Sequence, residues 1–175
     1  MHTESIAETQ TAFVLVGATH FALIDAADLP IVNKYKWKLV TKCAYQHTHY
    51  AETTTKPKIY MHNLIAPPPP GLTTDHKNRN GMDNRRSNLR HGTDSQNSGN
   101  TKLRSDNTTG YKGVYPRGGG KWGAQLVGKY GKFRSGPFDS IEHAAMAYDD
   151  FAREYYGEFA RLNFPLPHES GIDAD

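Results

Sequence analysis

The chain has 175 residues, 37% of them hydrophobic, enough for one domain or for two or three small ones with modest cores. One cysteine, Cys43, excludes an internal disulfide and any Cys-x-x-Cys zinc knuckle and fits a reducing compartment. The opening Met-His-Thr-Glu-Ser lacks the regions of a signal peptide. No apolar run approaches the roughly 20 residues of a membrane span, so an intracellular protein with no membrane partner is expected. The net charge of +3 is unevenly spread. Residues 76–134 hold 13 Lys/Arg against 3 Asp/Glu, whereas residues 135–175 hold 2 against 9. A basic middle beside an acidic end points to a polyanion held by one face.

Residues 1–11 are polar. Short strand-like runs follow at Phe13–Val16 and His20–Ile24, with Gly17 allowing the turn. Asp25 is placed to cap a short helical segment, with Pro30 inside an early turn. Lys36–Val40 and Ala44–Ala51 read as a second strand pair. Alternation there puts Tyr45, His47 and His49 on one face, read as an exposed strand face rather than a metal site. Lys58–Ile65 has helical spacing and ends at Pro67–Pro70, which cannot donate backbone bonds. Leu72–His76 reads as a short strand, Asn80-Gly81 as a turn, and Asn88–Arg90 as another extended piece. Thr93-x-x-Gln96 is a capping box, so a helix should begin at Asp94.

After a polar linker at residues 98–109, three strands are expected at Tyr111–Tyr115, Lys121–Val127 and Lys132–Ser135. Glycine-rich turns join them. Asp139 then caps a long helix. Its apolar stripe is Ile141, Ala144, Ala145, Tyr148, Phe151, Ala152 and Tyr155, and Gly157 stops it. One sheet face packs this helix. The other is left for Lys112, Arg117, Lys132 and Arg134.

The stretch from Asp75 to Asn97 is too polar to be a core. It offers a carboxylate beside an imidazole, several amides and four arginines. Hydrolysing a phosphodiester needs a water, a base for its proton, and positive charge on the phosphate oxygens. A magnesium-type ion takes oxygen ligands and keeps several waters. Asp75 and the amide oxygen of Asn97 would supply two such oxygens. His76, with an unperturbed pKa of about 6.5, would be the base. Neighbours on a strand point to opposite faces, so the strand should twist or end at this pair. Asn88 could hold His76 or the loop, and Arg85, Arg86 and Arg90 could clamp phosphate.

Met61-His62-Asn63-Leu64-Ile65, the run Asp75-His76 to Arg90, and Thr93-x-x-x-Asn97 resemble the HNH homing-type endonucleases of phages and bacteria. Tyr111-Lys-Gly-Val114, Lys121-Trp-Gly-Ala124, Gly136-x-Phe-Asp139, Ala144-Ala-x-Ala-Tyr-Asp149 and Leu162-Asn-Phe-Pro165 resemble the APETALA2-type DNA-binding domain of plant ethylene-response factors. That domain also occurs appended to HNH nucleases. The first resemblance implies a ββα-metal fold with a single divalent ion, Mg2+ or Mn2+, and no structural zinc. It makes Asp75 and Asn97 the metal ligands, His76 the general base and Asn88 the asparagine that braces the loop. His62 matches a motif histidine to which no role is assigned. The second implies DNA contacts from Lys112, Tyr115, Arg117, Gln125, Val127, Lys132 and Arg134. Tyr115 and Val127 stand where arginine is usual, Gln125 replaces an acidic residue, and Gly119 and Arg134 replace tryptophans. The plant recognition sequence is therefore not carried over. In the nuclease, Asn63 stands where arginine is common and Arg79 replaces a usual glycine.

The expectation is an α+β chain with a β-rich region at 1–58, an HNH nuclease at 59–105, an APETALA2-type reader at 108–165 and an acidic tail at 166–175. The reader would be a three-stranded antiparallel sheet packed on one long helix. The whole would be a monomeric, divalent-metal-dependent DNA endonuclease acting on double-stranded DNA in a bacterial cytoplasm, with a phage gene as one source. The alternative is a non-enzymatic DNA-binding regulator carrying an inactive nuclease remnant.

Overall fold

The computed structural model of the chain describes residues 10–41, 48–128, 131–167 and 169. It is a mixed α+β structure with small sheets and one long helix, divided into two compact units, Met1–His91 and Gly92–Asp175.

In the first unit β1 (Thr11–Val16) pairs antiparallel with β2 (His20–Asp25). Alternation decides what each face does. Val14, Val16, Ala22 and Ile24 enter the core, and Phe13, Leu15 and Phe21 stand exposed opposite. A 3-10 turn, Ala26–Asp28, leads into α1 (Leu29–Val32), with Pro30 in its first turn, where a missing N–H costs little. Asp25 does not cap this turn as expected. Its carboxylate instead accepts from the Arg86 N–H at 2.9 Å, a partner 61 residues away. β3 (Trp37–Thr41) and β4 (His49–Thr53) form the second antiparallel pair. Tyr45 and His47 lie outside the described residues. The expected helix before the prolines is the shorter α2 (Met61–Ile65). β5 (Thr73–His76) pairs with β6 (Leu89–Gly92). One hydrophobic core, from Val14 and Trp37 through Met61 and Ile65 to Leu89, runs through both the N-terminal hairpins and the polar motif segment. A segment that cannot build its own core is thus carried on a neighbour's.

The second unit opens with α3 (Asp94–Gly99), where both halves of the Thr93–Gln96 capping box form. β7 (Val114–Gly118), β8 (Lys121–Gly128) and β9 (Gly131–Phe138) make an antiparallel sheet in that order. β7 begins at Val114 rather than Tyr111 because residues 107–111 are closed into a turn. The Asn107 side chain there accepts from the N–H of Thr109 and of Gly110. Gly113 has φ +74, and a Cβ there would sit 1.9 Å from the Tyr148 ring.

α4 (Ile141–Tyr156) lays Ala144, Ala145, Tyr148 and Ala152 against Val114, Ala124 and Leu126. Small alanines permit that close approach. Ser140, not Asp139, is its N-cap: the serine hydroxyl accepts from the His143 N–H at 3.1 Å, while Asp139 is drawn to Lys121. Gly157, with φ +55, ends it as expected. The Leu162-Asn-Phe-Pro165 segment is pinned to α4 through buried Asp149, which accepts from the N–H groups of Asn163 (2.8 Å) and Phe164 (2.7 Å). The Asn163 amide in turn clasps both backbone groups of Lys112.

Candidate active site and nucleic-acid interface

The loop after β5 is built from amides. Asn80 N–H donates to the Asn78 side chain and Met82 N–H to the Asn80 side chain, two Asx turns in succession. Asn88 spans the loop: its Oδ1 accepts from Asn78 N–H at 3.0 Å and its Nδ2 donates to the Asp83 carbonyl at 2.7 Å. Asp83 is the second brace. Its carboxylate holds Arg85 Nε and Nη2, each at 2.8 Å, and Asn78 Nδ2 at 2.9 Å. The loop is tied to β2 by Leu23 N–H to Met82 O (2.8 Å) and Asn84 N–H to Leu23 O (2.7 Å). Gly81 lies under Tyr50, and a Cβ there would collide with that ring at 2.6 Å. Arg79 has φ +64, the left-handed region that favours glycine. This explains why a glycine is usual at that place in the resembling nucleases.

His76 closes β5 and is only 4% exposed. Its ring lies 4.9 Å from that of His62 in a T-shaped contact and 5.8 Å from that of Tyr50. Tyr60 stacks on His62 at 5.4 Å. The Nε2 atom is 3.2 Å from Asn84 Oδ1. Burial lowers the pKa of His76 from its ordinary value, and the Asn84 bond and the Asp75 and Asp83 carboxylates oppose this without overcoming it. The ring is therefore neutral at neutral pH, the form a base requires. Burial also raises the Tyr50 hydroxyl, helped by the negative charge of Asp75 and by Tyr60.

Asp75, one residue earlier, has a different partner: its Oδ2 takes Arg90 Nη2 at 3.1 Å and Nε at 3.3 Å. The other two arginines expected to clamp phosphate are also held by carboxylates, Arg85 by Asp83 and Arg86 by Asp28. Asn97 lies in α3, in the second unit. Among the described residues, no three His, Cys, Asp or Glu side chains converge to hold a metal. A magnesium-type ion asks for less. One or two protein oxygens and several waters suffice, and a partly exposed carboxylate such as Asp75 fits that donor chemistry.

In the second unit the register settles which face the expected DNA-contacting residues occupy. Gln125 pairs with Arg134, Val127 with Lys132 and Tyr115 with Gly123, so these side chains share the face opposite α4. Val127 is 65% exposed there. Arg117, also on this side of β7, donates to the Gly136 carbonyl at 2.9 Å. Lys112 precedes the sheet, and its Nζ is bonded to the carbonyls of Gly99 (2.6 Å) and Thr101 (3.1 Å). Trp122 is partly buried and packs against Val114 and the α4 alanines, on the helix side of the sheet.

Comparison with known proteins bears on both units. The chain is 30% identical over 166 residues to an uncharacterized HNH endonuclease of Acanthamoeba polyphaga mimivirus, covering 90% of this chain and 83% of that protein. The chain belongs to the HNH endonuclease family. It is also 39% identical over 71 residues to an AP2/ERF and B3 domain-containing transcription repressor of Arabidopsis thaliana, and 45% identical over 58 residues to a putative dehydration-responsive element-binding protein of the same plant. The two matches cover 41% and 32% of this chain, which spans 20% and 37% of the length of those plant proteins. No protein-family model and no solved structure matches the chain.

Four residues around His76 carried no site role in the sequence: Asp83, Asn84, Tyr50 and Tyr60. Asp83 and Asn84 sit in the HNH motif, but as two more polar residues in a polar loop. Tyr50 and Tyr60 lie upstream, with no spacing that ties them to Asp75-His76.

Proposed function

We propose that the protein is a divalent-metal-dependent, sequence-directed DNA endonuclease of homing type. The observation that carries this reading is His76: a buried, neutral imidazole in an aromatic pocket, one residue from a carboxylate, in a chain of the HNH family. A bound Mg2+ or Mn2+ would supply positive charge for the scissile phosphate and its leaving oxygen. Asp75 and Asn97 are the residues assigned to hold it. His76 takes the proton of the attacking water, and Asn88 keeps the loop closed beneath it. Arg90 neutralises Asp75 in this state, and exchanging that partner for a cation would release its guanidinium toward phosphate. Arg85 and Arg86 would add phosphate contacts by the same exchange. The outer face of the three-stranded sheet, with Tyr115, Arg117, Gln125, Val127, Lys132 and Arg134, supplies register on double-stranded DNA, and Lys112 a contact at its edge.

The test is cleavage of a supercoiled plasmid library with magnesium or manganese, wild type beside His76→Ala. Metal-dependent nicking or linearisation by the wild type, reduced about 10²–10⁴-fold in the variant, is expected. Equal activity in both would remove His76 from the mechanism. A second reading, a DNA-binding regulator without cleavage, is favoured by one observation: Arg85, Arg86 and Arg90 are all held by carboxylates. Tight DNA binding by both proteins without cleavage of a target-containing library would establish it.

A further inference from the structure

We propose that Asn84 is the positioning residue for His76: its amide oxygen fixes the imidazole in the Nε2–H tautomer and so makes Nδ1 the nitrogen that takes the proton from water. The inference rests on His76 being the base. Asn84 is 0% exposed, and its Oδ1 lies 3.2 Å from His76 Nε2. A carbonyl oxygen only accepts, so the hydrogen belongs to Nε2 and the lone pair to Nδ1. A base oriented by a third group is the general arrangement of activated nucleophiles.

Several features make Asn84 suited to this and to little else. Its backbone N–H is anchored to the Leu23 carbonyl on β2, so the amide is held by the N-terminal hairpin and not by the loop alone. That bond and the one from Leu23 N–H to the Met82 carbonyl together form a parallel bridge between Leu23 and Asp83. The Nδ2 of Asn84 is buried and makes no hydrogen bond. A buried amide kept with half its capacity unused is an expensive way to fill space, and an apolar side chain would do that better. What an apolar side chain cannot do is accept from Nε2. The remaining freedom of the imidazole is restricted by rings: His62 at 4.9 Å and Tyr50 at 5.8 Å, with Tyr60 stacked behind His62. Aromatic contacts hold the plane of the ring, and the Asn84 oxygen chooses which nitrogen is protonated.

The test compares the full-length wild type with Asn84→Leu, which keeps the volume and loses the acceptor, and Asn84→Asp, which keeps an acceptor oxygen. Long-range 1H–15N correlation of the His76 ring at fixed pH reads the tautomer directly and needs no cleavage. The wild type and Asn84→Asp should show the Nε2–H form, and Asn84→Leu a mixture or the Nδ1–H form. With cleavable DNA, kcat should fall at least ~10-fold in Asn84→Leu and recover in Asn84→Asp, with KM and DNA affinity unchanged. That is a part of the about 10²–10⁴-fold a general base supplies, as a misoriented base would lose. In a Trp122→Phe background, unaltered Trp37 fluorescence verifies that the first unit is folded. An Nδ1–H tautomer in the wild type, or an unchanged tautomer in Asn84→Leu, overturns the assignment. A wild type that shows the Nε2–H form yet never cleaves overturns the nuclease reading and leaves the Asn84–His76 pairing standing.

Discussion

Replacing Asp83 with alanine should loosen the whole site loop, and the size of the effect follows from what the carboxylate holds. It accepts from two Arg85 nitrogens and from Asn78 Nδ2, all within 2.9 Å, and its side chain is 4% exposed. Arg85 is 39% exposed, so its guanidinium can turn to water when the partner goes, and only about 1 kcal/mol is charged to that pair. Asn78 loses a half-buried bond, about 1 kcal/mol more, and the vacated space adds a smaller cost. The sum is about 2–3 kcal/mol in the first unit, which for a segment of this size lowers its melting temperature by about 10–20 °C. Trp37 is buried in that unit and Trp122 belongs to the other, so a Trp122→Phe background leaves one fluorescent probe on the unit in question. Urea unfolding followed at Trp37 is the assay. A loss below about 0.5 kcal/mol would mean that Asn88 and the Asx turns close the loop without Asp83, and the argument would fail. The same carboxylate predicts a pH effect. Burial would raise its pKa, but the Arg85 guanidinium and N–H together with Asn78 outweigh burial and hold it below the ordinary 3.8. A depressed carboxyl stabilises above its unfolded value and loses that contribution as the pH falls through its lower folded value. Acidification from pH 4 downward should therefore destabilise the wild type more steeply than an Arg85→Met variant. Parallel curves would remove the pair from the acid response.

Two further outcomes are expected. Arg79→Gly should raise the stability of the first unit by about 0.5 kcal/mol, because the left-handed backbone at φ +64 strains arginine and not glycine, although the unfolded chain gains freedom in exchange. A decrease in the urea midpoint at Trp37 would mean that the Arg79 side chain contributes more than its backbone costs. Lys132→Ala and Arg134→Ala, on the outer face of the sheet, should each reduce the slope of log affinity against log salt by about 0.9, the signature of one lost phosphate contact. Unchanged slopes would show that DNA does not lie on that face.

What the sequence discloses here depends on how far apart the interacting residues are. The capping box at Thr93 and Gln96, the apolar stripe of α4, its stop at Gly157 and the outward placing of Lys132 and Arg134 are all set by neighbours within a few positions. Local spacing is enough to see them. Asp139 and Ser140 show the limit of that logic. Either could cap α4; the serine, the extended residue directly before Ile141, takes the His143 N–H, and the aspartate one place earlier pairs with Lys121 instead. The site is decided mostly at long range. Arg86 reads as a phosphate ligand until Asp28, 58 residues earlier, is found on its guanidinium. Asn84 reads as one more polar loop residue until its backbone is found bonded to Leu23, 61 positions away. The polar motif supplies the reacting groups and the apparently unrelated N-terminal hairpin supplies the rigid surface that aims them. Substitutions on β2 that leave its exposed face alone but shift Leu23 should therefore reach His76 through Asn84, with no change in the motif itself.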